Sequence, residues 1–188
     1  MPILGTVASQ FSGKSFSSFE SIATVTVGAG GSASVSFTSI PATYTQLQVR
    51  GIARSTRATN EDSITTRFNN DSGANYFSYH EVYGDGSSAS AGAGSSSGTG
   101  IGFGYIAAAS SSANIFGVAV IDVLDYLNTN KNKVPRILAG YDRNGGGIIA
   151  LTSGLWRNTA AINRIDLIPA SGNFTQYSSF ALYGIKGA

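Results

Sequence analysis

The sequence predicts an all-β chain: an antiparallel β-sandwich, jelly-roll-like, with an extended N-terminal arm. Three observations carry this expectation. Charged residues make up 12% of the 188 positions, about half of the ~25% usual in soluble domains. Glycine occurs 24 times, and glycine supplies the backbone freedom of tight turns. Apolar residues recur at alternate positions in short runs parted by Gly, Asn, Ser and Pro, the pattern of half-buried strands. No run has the 3.6-residue period of an amphipathic helix. An up-and-down barrel is the second architecture that fits, and the lack of a repeat period argues against a propeller or solenoid. Ten Phe and nine Tyr can bury enough apolar area to exclude disorder.

Residues 1–19 differ from the rest. Met1 to Val7 is apolar, and the Ser-rich stretch that follows carries spaced aromatics at Phe11, Phe16 and Phe19. Without strand alternation, this segment reads as an arm, packed either on its own domain or on a neighbour. Residues 20–188 read as one β-sandwich domain. Residues 21–27 and 33–37 alternate around the glycine turn at 28–31, a hairpin that Pro41 ends. Residues 44–54 follow, with Leu47 and Val49 inward and Gln46, Gln48 and Arg50 outward. Ile64, Thr66 and Phe68 form the inner side of the next strand. The turn at 69–73 leads to an aromatic strand at 76–83.

Residues 86–121 contain no Asp, Glu, Lys or Arg. Residues 87–98 read as a flexible Gly/Ser/Ala loop. Gly98, Gly100, Gly102 and Gly104 then alternate with bulkier residues, giving one flat glycine face against which another sheet, a threefold axis or a ligand would press. Residues 115–124 form a long strand with Val118 and Val120 opposite Ala119, Ile121 and Val123. Strands at 136–141, 148–151 and 162–168 follow, with Trp156 opening a turn before the last of these. Residues 179–186 close the chain on a strand, which predicts a C-terminal end tied into a sheet and leaves attachment to the first 19 residues. The count is ten or eleven strands.

The net charge of +2 is too small to imply nucleic acid. Arg50, Arg54, Arg57 and Arg67 gather near Glu61 and Asp62, which reads as a paired, solvated surface, with a polyanion patch as the sharper alternative. The absence of cysteine excludes disulfides and thiolate metal sites. Residues 1–4 lack the basic region of a signal peptide, and Lys14 follows too soon. No run reaches the roughly 20 apolar residues of a membrane-spanning helix.

Catalytic signals are weak. His80, the sole histidine, lies in a predicted strand. Gly94-Ser95-Ser96-Ser97-Gly98 matches the nucleophile-elbow spacing but has no following helix and no later histidine. Asn69, Asp71 and Gly73 resemble a calcium loop in composition only, and a capped turn is the simpler reading. Asp122 and Asp125 flank a strand end without a mark of acid–base tuning. The expectation is a non-enzyme with no cofactor and no metal. Tyr76, Tyr79, Tyr83, Tyr105, Tyr126 and Tyr141 are the abundant binding chemistry, suited to sugars or a protein partner.

Several blocks carry a family resemblance: residues 19–27 with their glycine turn, residues 40–44 leading to Leu47, residues 67–76 with Asn69, Asn70, Asp71 and Gly73, residues 154–162 with Trp156, and residues 180–186. Together with the leader at 1–5, they resemble small β-rich virion structural proteins of tailed bacteriophages, of tail-fibre, spike or decoration type. The resemblance implies a virion component assembled in the host cytoplasm, partnered by other virion proteins and commonly homotrimeric. The resemblance fixes no receptor; a host surface glycan is the further partner that the tyrosines suit, and neither nucleic acid nor membrane is expected. Ile3, Leu4, Phe11 and Phe16 are then the candidate virion-attachment residues, and Gly100, Gly102 and Gly104 the candidate intersubunit-packing residues. A capsid decoration protein and a carbohydrate-binding module are the alternatives.

Overall fold

A computed structural model describes residues 18–187. The described residues form twelve strands and no helix: β1 (Phe19–Thr26), β2 (Val35–Phe37), β3 (Gln46–Ala53), β4 (Glu61–Phe68), β5 (Tyr76–Gly84), β6 (Ala89–Ala93), β7 (Ile101–Ala107), β8 (Gly117–Leu124), β9 (Pro135–Asp142), β10 (Gly147–Trp156), β11 (Ile165–Pro169) and β12 (Ser179–Ile185). They make two antiparallel sheets. The larger has eight strands in the order β1-β12-β3-β8-β9-β10-β5-β6, and the smaller four in the order β2-β11-β4-β7. The two pack face to face as a β-sandwich.

Alternation places the core. From the large sheet come Leu47, Val49, Ile121, Val123, Ile137, Phe180 and Leu182. From the small sheet come Val35, Phe37, Ile64, Phe68, Ile101, Phe103, Ile106, Ile165 and Leu167. Tyr76, Tyr126, Trp156, Ile162 and Phe174 join the same cluster, each buried to 1% exposure or less. The Tyr126 hydroxyl donates to the Pro41 carbonyl, so its ring is core and its polar tip is still satisfied.

A glycine bulge sets the inner face of β7. Asp62 pairs with Ile106 and Ile64 with Phe103, so Gly104 and Tyr105 together oppose Ser63. Gly104 has φ +57°, the left-handed conformation of a G1 bulge. The extra residue shifts the alternation by one. Ile101 and Phe103 point into the core before it, Ile106 after it, and Tyr105 is turned out of the core.

Four sequence expectations are revised. Residues 21–27 and 33–37 do not form a hairpin: the glycine turn carries the chain from one sheet to the other, so β1 pairs with β12 in the large sheet and β2 with β11 in the small one. Residues 87–98 are not one loop, because Ala89–Ala93 is a strand paired with β5. Backbone pairing needs no large side chain, and small residues suffice at a sheet edge. The Asp85 carboxylate closes this hairpin by accepting the backbone N–H of Ser87 at 2.9 Å and of Ser88 at 2.8 Å. The strand expected at 148–151 extends over Gly147–Trp156, so Trp156 ends a strand instead of opening a turn. The boundary of the arm moves too: Phe19 pairs with Ile185, and the Ser18 carbonyl accepts the Lys186 N–H at 2.9 Å. Ile3, Leu4, Phe11 and Phe16 lie outside the described residues.

Candidate functional site

The residues singled out for chemistry fall into structural roles. Asn69, at φ +52°, accepts from the N–H of Asn163 at 2.9 Å and of Arg164 at 3.2 Å, and donates to the Ala161 carbonyl at 2.8 Å. Asp71 accepts the Trp156 indole N–H at 2.8 Å, the Gly73 N–H at 2.9 Å and the Asn75 amide at 3.0 Å. Burial opposes ionisation of Asp71, but the indole, Gly73 and Asn75 donors outweigh it and hold the carboxyl below its usual range. The calcium-like loop is therefore a clasp that ties the β4–β5 turn to the end of β10. Among the described residues no group of three or more His, Asp or Glu side chains is placed to hold a metal.

His80 is exposed and stacks on Phe77 at 4.5 Å. Ser95 bonds Ser78 through its backbone N–H and carbonyl. Asp122 accepts from Gln48 at 2.7 Å and meets Arg136 at 3.5 Å, while Asp125 pairs with Lys131 at 2.7 Å. The arginine group is dispersed. Arg57 pairs with buried Asp62 at 3.2 Å, Arg67 donates to the Thr99 carbonyl at 2.8 Å, and Arg50 lies over the rings of Phe19 and Tyr183. Arg54 donates to the carbonyls of Ser112 at 2.7 Å, Ser111 at 2.8 Å and Ile115 at 3.0 Å. It pins the β7–β8 loop.

The expected flat glycine face is broken by the bulge, which turns Gly104 into the core while Gly100 and Gly102 face the other way. A methyl group at Gly104 would overlap that of Ala139 on β9, and one at Gly100 would overlap Thr65 on β4. Gly102 has ordinary clearance, its nearest neighbour being Tyr79 at 3.8 Å.

The tyrosines divide into two groups. Tyr76, Tyr126 and Tyr141 are buried. Tyr79, Tyr83 and Tyr105 are half-buried: Tyr79, Glu81 and Tyr83 are alternate residues on one side of β5, and Tyr105 on β7 lies close to them. The Tyr83 and Tyr105 rings lie 5.8 Å apart, and Tyr105 is hydrogen-bonded to Glu81. Burial pushes the Glu81 carboxyl up, opposed by that bond. Burial, then the Glu81 charge, pushes the Tyr105 phenol up to about 12.

The largest feature is one that residue motifs did not mark. On the outer face of the eight-stranded sheet, the cross-strand register aligns two apolar rows. One runs Gly84–Ile149–Gly140–Val118–Ile52, the other Val82–Leu151–Leu138–Val120 and ends at Arg50. Ile149 is 62% exposed, Val82 58% and Val118 56%, and Leu138, Leu151 and Ile52 are close to half-exposed. The next row is polar: His80–Ser153–Arg136–Asp122–Gln48. Above Gly140 lies an open trough of about 820 Å³, walled by the β5–β6 and β9–β10 turns. Strands β8, β9 and β10 carry apolar residues on both faces. Their alignment into rows needed the register.

No family model, no curated protein and no solved structure matches the chain.

Proposed function

We propose that the chain is a non-enzymatic structural protein of a bacteriophage virion, a module of a tail fibre, spike or appendage that binds other virion proteins. The observation that supports this reading is the strand order. Without the hairpins β5–β6 and β9–β10, eight strands remain, paired outermost with outermost: β1 with β12, β2 with β11, β3 with β8, β4 with β7. β12 also borders β3, and β11 borders β4. This nested pairing supports a jelly-roll-like reading of the sandwich, an architecture used by viral capsid and lectin domains. The side-chain-bonded turns and low charge suit a rigid particle component.

Antibodies raised against the purified chain, applied to particles from lysates that express it, test the reading by negative-stain microscopy. Label on tails is the expected result. Label on heads favours capsid decoration, and particles without label refute both. Deleting residues 1–17, which leaves Ser18 and Phe19 in the sheet, is expected to keep the fold and abolish incorporation. A second reading, a carbohydrate-binding module, is favoured by Tyr79, Tyr83 and Tyr105 near Glu81, since aromatic faces beside a carboxylate suit sugar rings. Glycan-array binding lost on Tyr83→Ala with an unchanged fold would support it.

A further inference from the structure

We infer that the outer face of the eight-stranded sheet is a self-association surface, and that its occupant is the same face of a second copy, laid on it antiparallel about a two-fold axis. This goes beyond the virion reading and does not depend on it.

The exposed area comes first. Ile52, Val82, Val118, Leu138, Ile149 and Leu151 keep between 45% and 62% of their surface in solvent. Together they expose on the order of 600 Å² of aliphatic surface, at the top of what monomeric proteins leave uncovered. Two copies bring roughly 1,200 Å², the lower bound of a stable interface. From β5 to β8 neither row contains an ionisable side chain, so the fitting partner is neutral and apolar.

The pattern then selects the partner. The row of Val82, Leu151, Leu138 and Val120 is a ridge. The adjacent row is hollow at Gly84 and Gly140, where the open trough lies, and raised at Ile149 and Val118. A two-fold axis running along the rows, between them, sets Val82 and Leu138 of each copy over the other's Gly84 and Gly140 and brings Leu151 against Ile149 and Val120 against Val118, with Arg50 at the far end over Ile52. Strand β9 shows the complementarity along its length. Its outward residues are Arg136, Leu138, Gly140 and Asp142. Reversed on itself, this series sets Leu138 over the second copy's Gly140 and Arg136 over its Asp142. Sheets packed face to face sit about 10 Å apart with aligned strands, a distance that a Leu in a Gly hollow and an Arg–Asp pair at each rim can fill. An isologous contact of this kind closes at two copies.

Sedimentation velocity on the full chain, from about 1 to 100 µM, tests the inference. The expected result is a dimer. Leu138→Glu should weaken it about 100-fold or more while leaving the far-ultraviolet circular dichroism unchanged. Val82→Glu, nearer the sheet edge, serves the same purpose if Leu138→Glu does not fold. Arg136→Glu and Asp142→Lys should each weaken the dimer about tenfold, and the double variant should recover most of the loss. A chain monomeric at about 100 µM overturns the inference. So does a three-chain mass, a dimer indifferent to Leu138→Glu and Val82→Glu, or a double charge reversal no better than the single variants.

Discussion

Replacing Trp156 with Phe tests the clasp between the β4–β5 turn and the sheet. Trp156 is 1% exposed and packs near Phe68 and Tyr76, with ring centroids at 5.6 Å and 6.3 Å. Phenylalanine keeps most of that packing and removes the N–H that Asp71 accepts at 2.8 Å. A hydrogen bond to a charged group contributes about 1.5–3 kcal/mol. The smaller ring also leaves a cavity costing about 1 kcal/mol, so the expected loss at pH 7 is about 2.5–4 kcal/mol. The pH dependence separates the two contributions. The folded Asp71 carboxyl is held below its ordinary value. Its contribution is present above the unfolded pKa and is lost as pH falls through the folded one. The difference between wild type and variant should therefore shrink as pH falls from 7 to 2.5, while the cavity cost stays. Urea unfolding followed by circular dichroism near 217 nm reads both, since the variant has no tryptophan to report. Equal differences at the two pH values, or a loss under about 1 kcal/mol at pH 7, would refute the indole–carboxylate account.

Gly104→Ala should cost about 2–4 kcal/mol, because it puts a side chain at φ +57° and against Ala139. Adding Ala139→Gly should restore only the part due to overlap, and a full recovery in thermal melts would show that the backbone carries no strain. Lys133 is 1% exposed and donates to the carbonyls of Asn128 at 2.6 Å, Lys131 at 2.9 Å and Thr159 at 3.1 Å. Lys133→Met should lose about 2–4 kcal/mol by stranding those acceptors, and an unchanged urea midpoint would contradict this. Burial raises Tyr76, Tyr105 and Tyr141 to about 12, against about 10 when unfolded. Between those values the unfolded chain binds fewer protons, so stability should be intact below pH 10 and fall as pH rises toward 12. A urea midpoint that stays flat from pH 9 to 11.5 would refute it.

The strands were legible because half-buried strands write their burial into alternate residues. Leu47 and Val49 on β3, and Ile64 and Phe68 on β4, were found on that signal alone. β6 was not, since Ala, Ser and Gly carry no alternation, and its pairing is made entirely by the backbone. Trp156 was placed in a turn because Gly154 and the polar residues around it interrupt the pattern. Gly154 is there because the side chain of Ile101 fills the space beside it. The glycine run of β7 pointed to close approach, but which neighbour approaches depends on sheet packing. Burial of Tyr76, Tyr126 and Tyr141 could not be told from the exposure of their neighbours by residue type. The paired outer rows were the least legible feature, since each draws single residues from strands far apart in the chain.

The strand order also bears on when the fold can form. β11 lies between β2 and β4, and β12 between β1 and β3. During synthesis both sheets therefore stay split until the residues from Ile165 onward have left the ribosome. Up to that moment β1, β2, β3 and β4 each have an unpaired edge, and the inner apolar face has no complete cover. Long-range closure of this kind is slow, and the waiting chain is open to pairing with its neighbours. A chain truncated before residue 165 keeps those edges open and is expected to aggregate where the full chain stays in solution.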